Sequence, residues 1–270
     1  AIDIGGTSIR AALVRNNKII KKCKQETKIS KGKNYFIKTL FSCIESVKDG
    51  KINGIGIGCP GPTNYETGRI INPPNLKPLH GLNLKKIIKN KFKVRVEMEN
   101  DANCAAIAEL KNRKEKNFLV LTLGTGIGCG IIINKQLYKG KGYASELGHM
   151  IIDSKKDLED LASGTAISTR ASKVFNKRLM ASELVKLCKK GNKRANRVVK
   201  KSASYLGIGL ANISNIFDPE VIILTGGMKE AGNYYLNLAK KEMEKYTLLK
   251  SKVVWSQIKD AGLLGASYLI

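Results

Sequence analysis

"IDIGGTSIRAALV", residues 2–14, and "LTLGTGIGCGIII", residues 121–133, open two stretches of chain that share one plan. In each, a short apolar run meets a glycine turn and continues into a second apolar run, which is the pattern of a strand, a tight turn and a strand. The first stretch continues with "KIIKKCKQ", then a helical stripe through Phe36, Ile37, Leu40, Phe41, Ile44 and Val47. "INGIGIG" reads as a strand, "LNLKKIIKNKF" as a helix, "VRVEMEN" as a strand, and "DANCAAIAEL" as a helix with Asp101 at its N-terminal boundary. The second stretch continues with "QLYKG", a long helical section from about Lys155 to Ile216, the strand "VIILTGG", a helix from about Lys229, the strand "VVWSQI" and a terminal helix. A plan that restarts in this way is an internal repeat. It predicts two α/β lobes, each with a mixed sheet and a glycine hairpin, and a cleft between them.

Length and composition set the frame for this reading. The 270 residues suffice for one large domain or two ordinary lobes, and the apolar share of 43% is that of a globular protein. No apolar run reaches the roughly 18 residues of a membrane span. The chain opens at Ala1 inside a strand pattern, so a short leading segment is expected to be absent, and a cytoplasmic location is expected. The six cysteines lie far apart with no C-x-x-C pair, mostly among apolar neighbours, which argues for free thiols rather than a zinc ribbon or disulfide framework. The formal charge of +26 is unusual. Its lysines are scattered in short groups and aromatics are sparse, so a solvated surface is favoured over a nucleic-acid partner. The excess would still steer anionic substrates toward the protein.

In "DIGGTSIR", Gly5 and Gly6 allow a close backbone approach to a ligand, and Thr7 adds a hydroxyl and N–H groups suited to an anion. Asp3, at the end of the preceding strand, could hold Mg²⁺ directly or through water. Gly124, Thr125 and Gly126 offer the same chemistry from the second half. Neither loop is followed by the G-K-[ST] of a Walker A motif, and neither opens a helix as a dinucleotide fingerprint does. Gly226 and Gly227 end a strand, where ligands of open α/β sheets bind. Asn100 and Asp101 sit at a strand end and helix start on the boundary between the repeats. Asp101 could be a simple helix cap or a carboxylate that accepts a hydroxyl proton.

Taken together, "DIGGTSIR", "GIGIGCPGPTNYETGRIINPPNL", "ENDANCAAIAE", "LTLGTGIGCGI", "ELGHM", "LASGTA", "ILTGGM" and "DAGLLGAS" resemble the ROK family of sugar kinases, repressors and related open reading frames, within the actin-like ATPase and sugar-kinase superfamily. The resemblance implies an α/β fold of two actin-like (ribonuclease H-like) lobes. One is expected over residues 1–101, joined by a C-terminal helix at 261–270, and the other over 102–260. It also implies ATP and Mg²⁺ and phosphoryl transfer to a hexose hydroxyl, with Asp101 as catalytic base. Asn100, Glu146, His149 and Glu159 match positions that hold sugar hydroxyls, and Gly61 and Asn75 lie in the matching sugar-side loop. The two glycine hairpins and Gly226–Gly227 match the phosphate and adenosine motifs.

One departure concerns metal. In most of the family the histidine matching His149 also binds a structural zinc, together with three cysteines in a following loop. Here Leu158–Glu159 and "SGTA" are present, but Asp157 stands where the last cysteine would be, and the span from His149 is too short for the loop. No zinc site is expected. His149 is expected instead as a neutral imidazole bonded to a sugar hydroxyl, its tautomer fixed by a partner that the sequence does not show.

The resulting expectation is an ATP-dependent hexokinase of glucokinase type that makes glucose 6-phosphate. N-acetylmannosamine, fructose and allose are alternative sugars, and polyphosphate is an alternative donor. A non-catalytic, sugar-responsive regulator is the rival class; the repressors of the family carry an N-terminal helix-turn-helix domain, whereas this chain begins at the phosphate motif. The resemblance also suggests a homodimer.

Overall fold

The computed structural model describes residues 1–249 and 251–270, without the side chains of Pro74 and Asn75. Asn75, expected in the sugar-side loop, thus lies outside the described side chains. The chain divides into two compact units, the first comprising 1–114, 139–144 and 258–270, the second 115–138 and 145–257.

The first unit is built on a five-stranded sheet: β1 (Ile2–Ile4), β2 (Ser8–Arg15), β3 (Lys18–Glu26), β4 (Gly54–Cys59) and β5 (Arg95–Asn100), in the order β3-β2-β1-β4-β5. β1, β2 and β3 form an antiparallel meander, while β1, β4 and β5 run parallel. Helix α1 (Lys33–Val47) buries Phe36, Leu40, Cys43, Ile44 and Val47 in this unit's core, the stripe legible in the sequence. β3 lies at the sheet edge, and Lys18, Lys21, Lys22 and Lys24 on it are all exposed. Asn83 caps α2 (Leu84–Phe92) by accepting the Lys86 N–H.

The second unit repeats the design. β6 (Phe118–Leu123), β7 (Ile127–Ile133), β8 (Gln136–Tyr138), β9 (Val221–Thr225) and β10 (Lys252–Trp255) take the order β8-β7-β6-β9-β10, again with an antiparallel meander followed by two parallel neighbours. Identical order and identical strand directions bear out the internal duplication.

Two boundaries differ from the sequence reading. The first unit extends past residue 101 because helix α3 (Asp101–Leu110) packs on the last helix of the chain, α9 (Ala261–Ser267). The contact is backbone to backbone: a Cβ on Gly265 would fall 1.6 Å from the Cys104 carbonyl oxygen. The helical section from about Lys155 to Ile216 is four helices, namely α4 (Leu158–Ala162), α5 (Gly164–Phe175), α6 (Ala181–Lys189) and α7 (Lys193–Phe217). Asp157, Ser163 and Asn192 cap α4, α5 and α7, and Asn176, in the left-handed region at φ 53°, ends α5. α8 (Gly232–Met243) follows β9 after a 3₁₀ turn at Gly227–Ala231. Among the described residues, no helix is long and apolar enough to cross a membrane.

Candidate active site

In the first unit the strand register assembles the polar groups. Asp3 pairs with Gly58 across β1 and β4, and Gly58 pairs with Glu99 across β4 and β5, so the three form one row near the carboxyl ends of the parallel strands. Asn100 and Asp101 follow directly. Ligands of open α/β sheets bind at such ends. Asp3 is buried and ion-paired with Arg10, which also reaches Asp260 at 3.5 Å. A Cβ at Gly262 would stand 3.0 Å from Asp3 Oδ2, so glycine there leaves room beside the carboxylate. The Gly5–Thr7 turn is closed by the Gly5 N–H to Ser8 O at 2.9 Å. Thr27, fully buried at the end of β3, clamps it: its hydroxyl donates to Gly5 O at 2.7 Å and its N–H to Thr7 O at 3.0 Å. Thr27 carries no motif and was not legible in the sequence.

The capping duty at α3 falls chiefly to Asn100. Its Oδ1 accepts the Ala102 N–H at 2.9 Å and the Asn103 N–H at 3.1 Å, and its Nδ2 donates to the Tyr65 hydroxyl at 3.3 Å. Asn100 is therefore committed to local structure as well as being a sugar-side candidate. Asp101 is the first residue of the helix, its Oδ1 3.0 Å from the Ala102 N–H. Gly61 follows β4, and burial beside Asn100 pushes the Tyr65 phenol well above its ordinary range.

In the second unit, groups far apart in sequence converge on the other hairpin. The Gly124 N–H bonds Gly126 O at 2.9 Å, and the N-terminus of α5 docks on the same turn through the Gly164 N–H to Gly124 O at 2.8 Å. Helix N-termini favour anions, so this docking adds to what the hairpin offers a phosphate. Gly226, at φ 96°, crosses β6 so closely that a Cβ would meet Leu123 O at 2.5 Å. Glu159 Oε2 accepts the Ile127 N–H at 2.7 Å and lies over Gly126, where a Cβ would meet it at 2.2 Å. A residue expected only among the sugar ligands is thus fastened to the phosphate hairpin.

His149 has the partner the sequence did not show. Its Nδ1 lies 2.9 Å from Asp157 Oδ2, while Asp157 Oδ1 caps α4 through the Asp160 N–H at 2.8 Å. This bond to Asp157 is the main cause that raises the imidazole pKa above its ordinary 6.5, with the charges of Asp157, Glu159 and Glu146 adding to it. The structure thus supplies the partner at Nδ1 and an upward shift of the ring's pKa, against the expectation of an unshifted neutral ring. Glu146, exposed at the surface, has its carboxyl raised above its ordinary value by partial desolvation. Because the folded pKa of His149 is the higher one, its contribution to stability is full below the ordinary imidazole value and fades as pH rises through the folded value. A proton NMR titration should place the His149 midpoint above 6.5, and Asp157→Asn should lower it toward the ordinary value. An unchanged midpoint in that variant would sink the pairing.

The donors fit the two metals differently. Mg²⁺ keeps most of its waters and uses one or two carboxylates plus phosphate oxygens, which suits Asp3 acting through water. Zinc prefers four nitrogen or sulfur donors, and the segment 149–165 that follows His149 carries no cysteine to supply them.

The ROK family matches residues 1–270. A glucokinase of Thermotoga maritima is 29% identical over 303 residues, covering 100% of this chain and 96% of its own. A xylose repressor of Caldicellulosiruptor bescii is 29% identical over 273 residues, covering 88% of this chain and 68% of its own. The crystal structure of a ROK family glucokinase from Streptomyces griseus, in complex with glucose and AMPPNP, superposes with a TM-score of 0.89 at 25% identity over 99% of this chain and 97% of that one. Motifs, duplicated topology and full-length similarity lead to one conclusion: the chain belongs to the ROK family, within the actin-like ATPase superfamily.

Proposed function

We propose that the protein transfers the γ-phosphoryl group of ATP to a hexose hydroxyl, with glucose as the first candidate and glucose 6-phosphate as product. The observation that carries this reading is that Asp101 directly follows β5, where the row Asp3–Gly58–Glu99 ends, with β4 between it and the strand that leads into Gly5, Gly6 and Thr7. Asp101 would take the proton of the attacking hydroxyl, a role typically worth about 10²–10⁴ in rate. Asn100, Glu146, His149 and Glu159 would hold the other hydroxyls, with Gly61 beside the sugar. His149, bonded to Asp157 through Nδ1, would offer Nε2 to a hydroxyl. Gly124–Gly126 and Gly226–Gly227 would receive the phosphates and adenosine. Mg²⁺ carried by the nucleotide neutralises charge on the phosphoryl oxygens, and Asp3 would hold it through water.

Similarity to the glucokinase of Thermotoga maritima and to the glucose complex of the Streptomyces griseus enzyme supports this reading. Similarity to a xylose repressor favours a second one, a sugar-responsive regulator. Polyphosphate as donor is favoured by a row of exposed cations on α7, Lys193, Arg197, Lys200 and Lys201, at helical spacing. A coupled assay across a hexose panel, run with ATP and with polyphosphate, tests all three. Glucose-dependent ADP release is the expected result. Sugar binding by calorimetry without turnover on either donor would replace the kinase with the regulator.

A further inference from the structure

Glu99 is the most demanding group near the candidate base. Its side chain is 4% exposed, and a carboxylate so buried needs both hydrogen bonds and a compensating charge. Oε1 accepts the Asn100 N–H at 2.9 Å and Asn103 Nδ2 at 3.0 Å. Oε2 meets Lys139 Nζ at 2.5 Å. One oxygen thus holds the two residues that flank Asp101 and Ala102, and the other holds a lysine 40 positions away in sequence.

That lysine occupies a distinctive place. After β8 the chain leaves the second unit, spends residues 139–144 in the first, and returns at Ser145. Lys139 closes this excursion on itself, its carbonyl accepting the Gly142 N–H at 2.8 Å and the Ala144 N–H at 3.0 Å. The return is made at a cost in backbone strain, because Ser145 sits at φ 78°, a region serine rarely adopts. Glu146 comes next, and a 3₁₀ turn carries the chain to His149.

We infer that the Lys139–Glu99 ion pair is a positioning device, which fixes the Asn100–Asn103 turn around Asp101 and anchors the 139–144 excursion within the first unit. Charge-assisted hydrogen bonds are roughly twice as strong as neutral ones. Lys139 supplies the countercharge at Oε2 of the same carboxylate whose Oε1 holds Asn100 and Asn103. The functional consequence rests on the kinase reading above; the positional claim does not.

The test uses the full chain with Lys139→Met, Lys139→Arg, Glu99→Gln and the Lys139→Met/Glu99→Gln pair. Because the Lys139 side chain is half-exposed, its replacement leaves no cavity in the core. Hydrogen exchange at the Asn100 and Asn103 amides should speed up by about tenfold or more in Lys139→Met, with β6 amides unchanged. In the same variant kcat should fall about tenfold, and the melting temperature should fall as well, because Glu99 is left buried without its cation. Lys139→Arg should restore both readouts, and adding Lys139→Met to Glu99→Gln should change neither further. Unchanged exchange in Lys139→Met, failure of arginine to rescue, or fully additive effects in the pair would overturn the inference. A wild-type chain without turnover would sink the kinase reading alone, since exchange still decides the positional claim.

Discussion

Asp101→Asn is expected to lose at least about a hundredfold in kcat while binding glucose with near-normal affinity. The substitution changes one group. Asparagine is close to aspartate in shape and offers an oxygen in place of Oδ1, so the bond from the Ala102 N–H at 3.0 Å can persist. Asn100, which carries most of the cap, is untouched. What disappears is the basic oxygen that would accept the hydroxyl proton as the phosphoryl group arrives. An interaction made only in the transition state lowers kcat and kcat/KM together. Steady-state kinetics and calorimetry on the same preparation separate the two effects. Turnover within about threefold of wild type would remove Asp101 from the mechanism.

Gly265→Ala should damage stability more than any other single methyl addition to the first unit. A Cβ at that position would lie 1.6 Å from the Cys104 carbonyl oxygen and 2.3 Å from its carbonyl carbon. Neither atom belongs to a side chain that can rotate away, so α9 must retreat from α3. Retreat is blocked on the other side, where Gly56 of β4 lies against the Ala266 carbonyl: a Cβ there would stand 1.7 Å from it. Overpacking between fixed elements costs about 3 kcal/mol, and each kcal/mol lowers the melting temperature by roughly 2–4 °C in a domain of this size class. Thermal denaturation would show the loss, with Gly227→Ala as the control because a Cβ there meets nothing within 4 Å. A melting temperature unmoved by Gly265→Ala would contradict the described packing of α9.

The parts of the fold set by local periodicity were legible in the sequence. That the two sheets share one design could be anticipated because two hairpins with the same glycine turn begin two equal plans, and the α1 stripe follows from 3.6-residue spacing. The site was legible only as a set of motifs. That Glu159 serves the Gly126 turn and that His149 serves Asp157 depends on how α4 is set against β7, which no spacing encodes. The extent of the first unit was misread for a similar reason. "DANCAAIAEL" looks like the start of a second half, yet its small residues exist to admit α9, from the far end of the chain. Glu99 reads as one more polar residue on an edge strand until Lys139 is seen to reach it.

The lysines of β3 bear on a different property. A sheet edge carries unpaired N–H and C=O groups that invite a strand from another molecule. Along this edge Lys18, Lys21 and Lys24 are exposed while Lys22 pairs with Asp260 at 2.9 Å, and an incoming strand would have to strip hydration from the exposed lysines and meet their charge. Lysines on an edge strand disfavour pairing with a strand of a second chain, so part of the basic excess works by its chemistry as a safeguard at this edge. Salt shortens the reach of that safeguard to about 3 Å at 1 M, so crowding at high ionic strength is the condition in which this edge becomes adhesive.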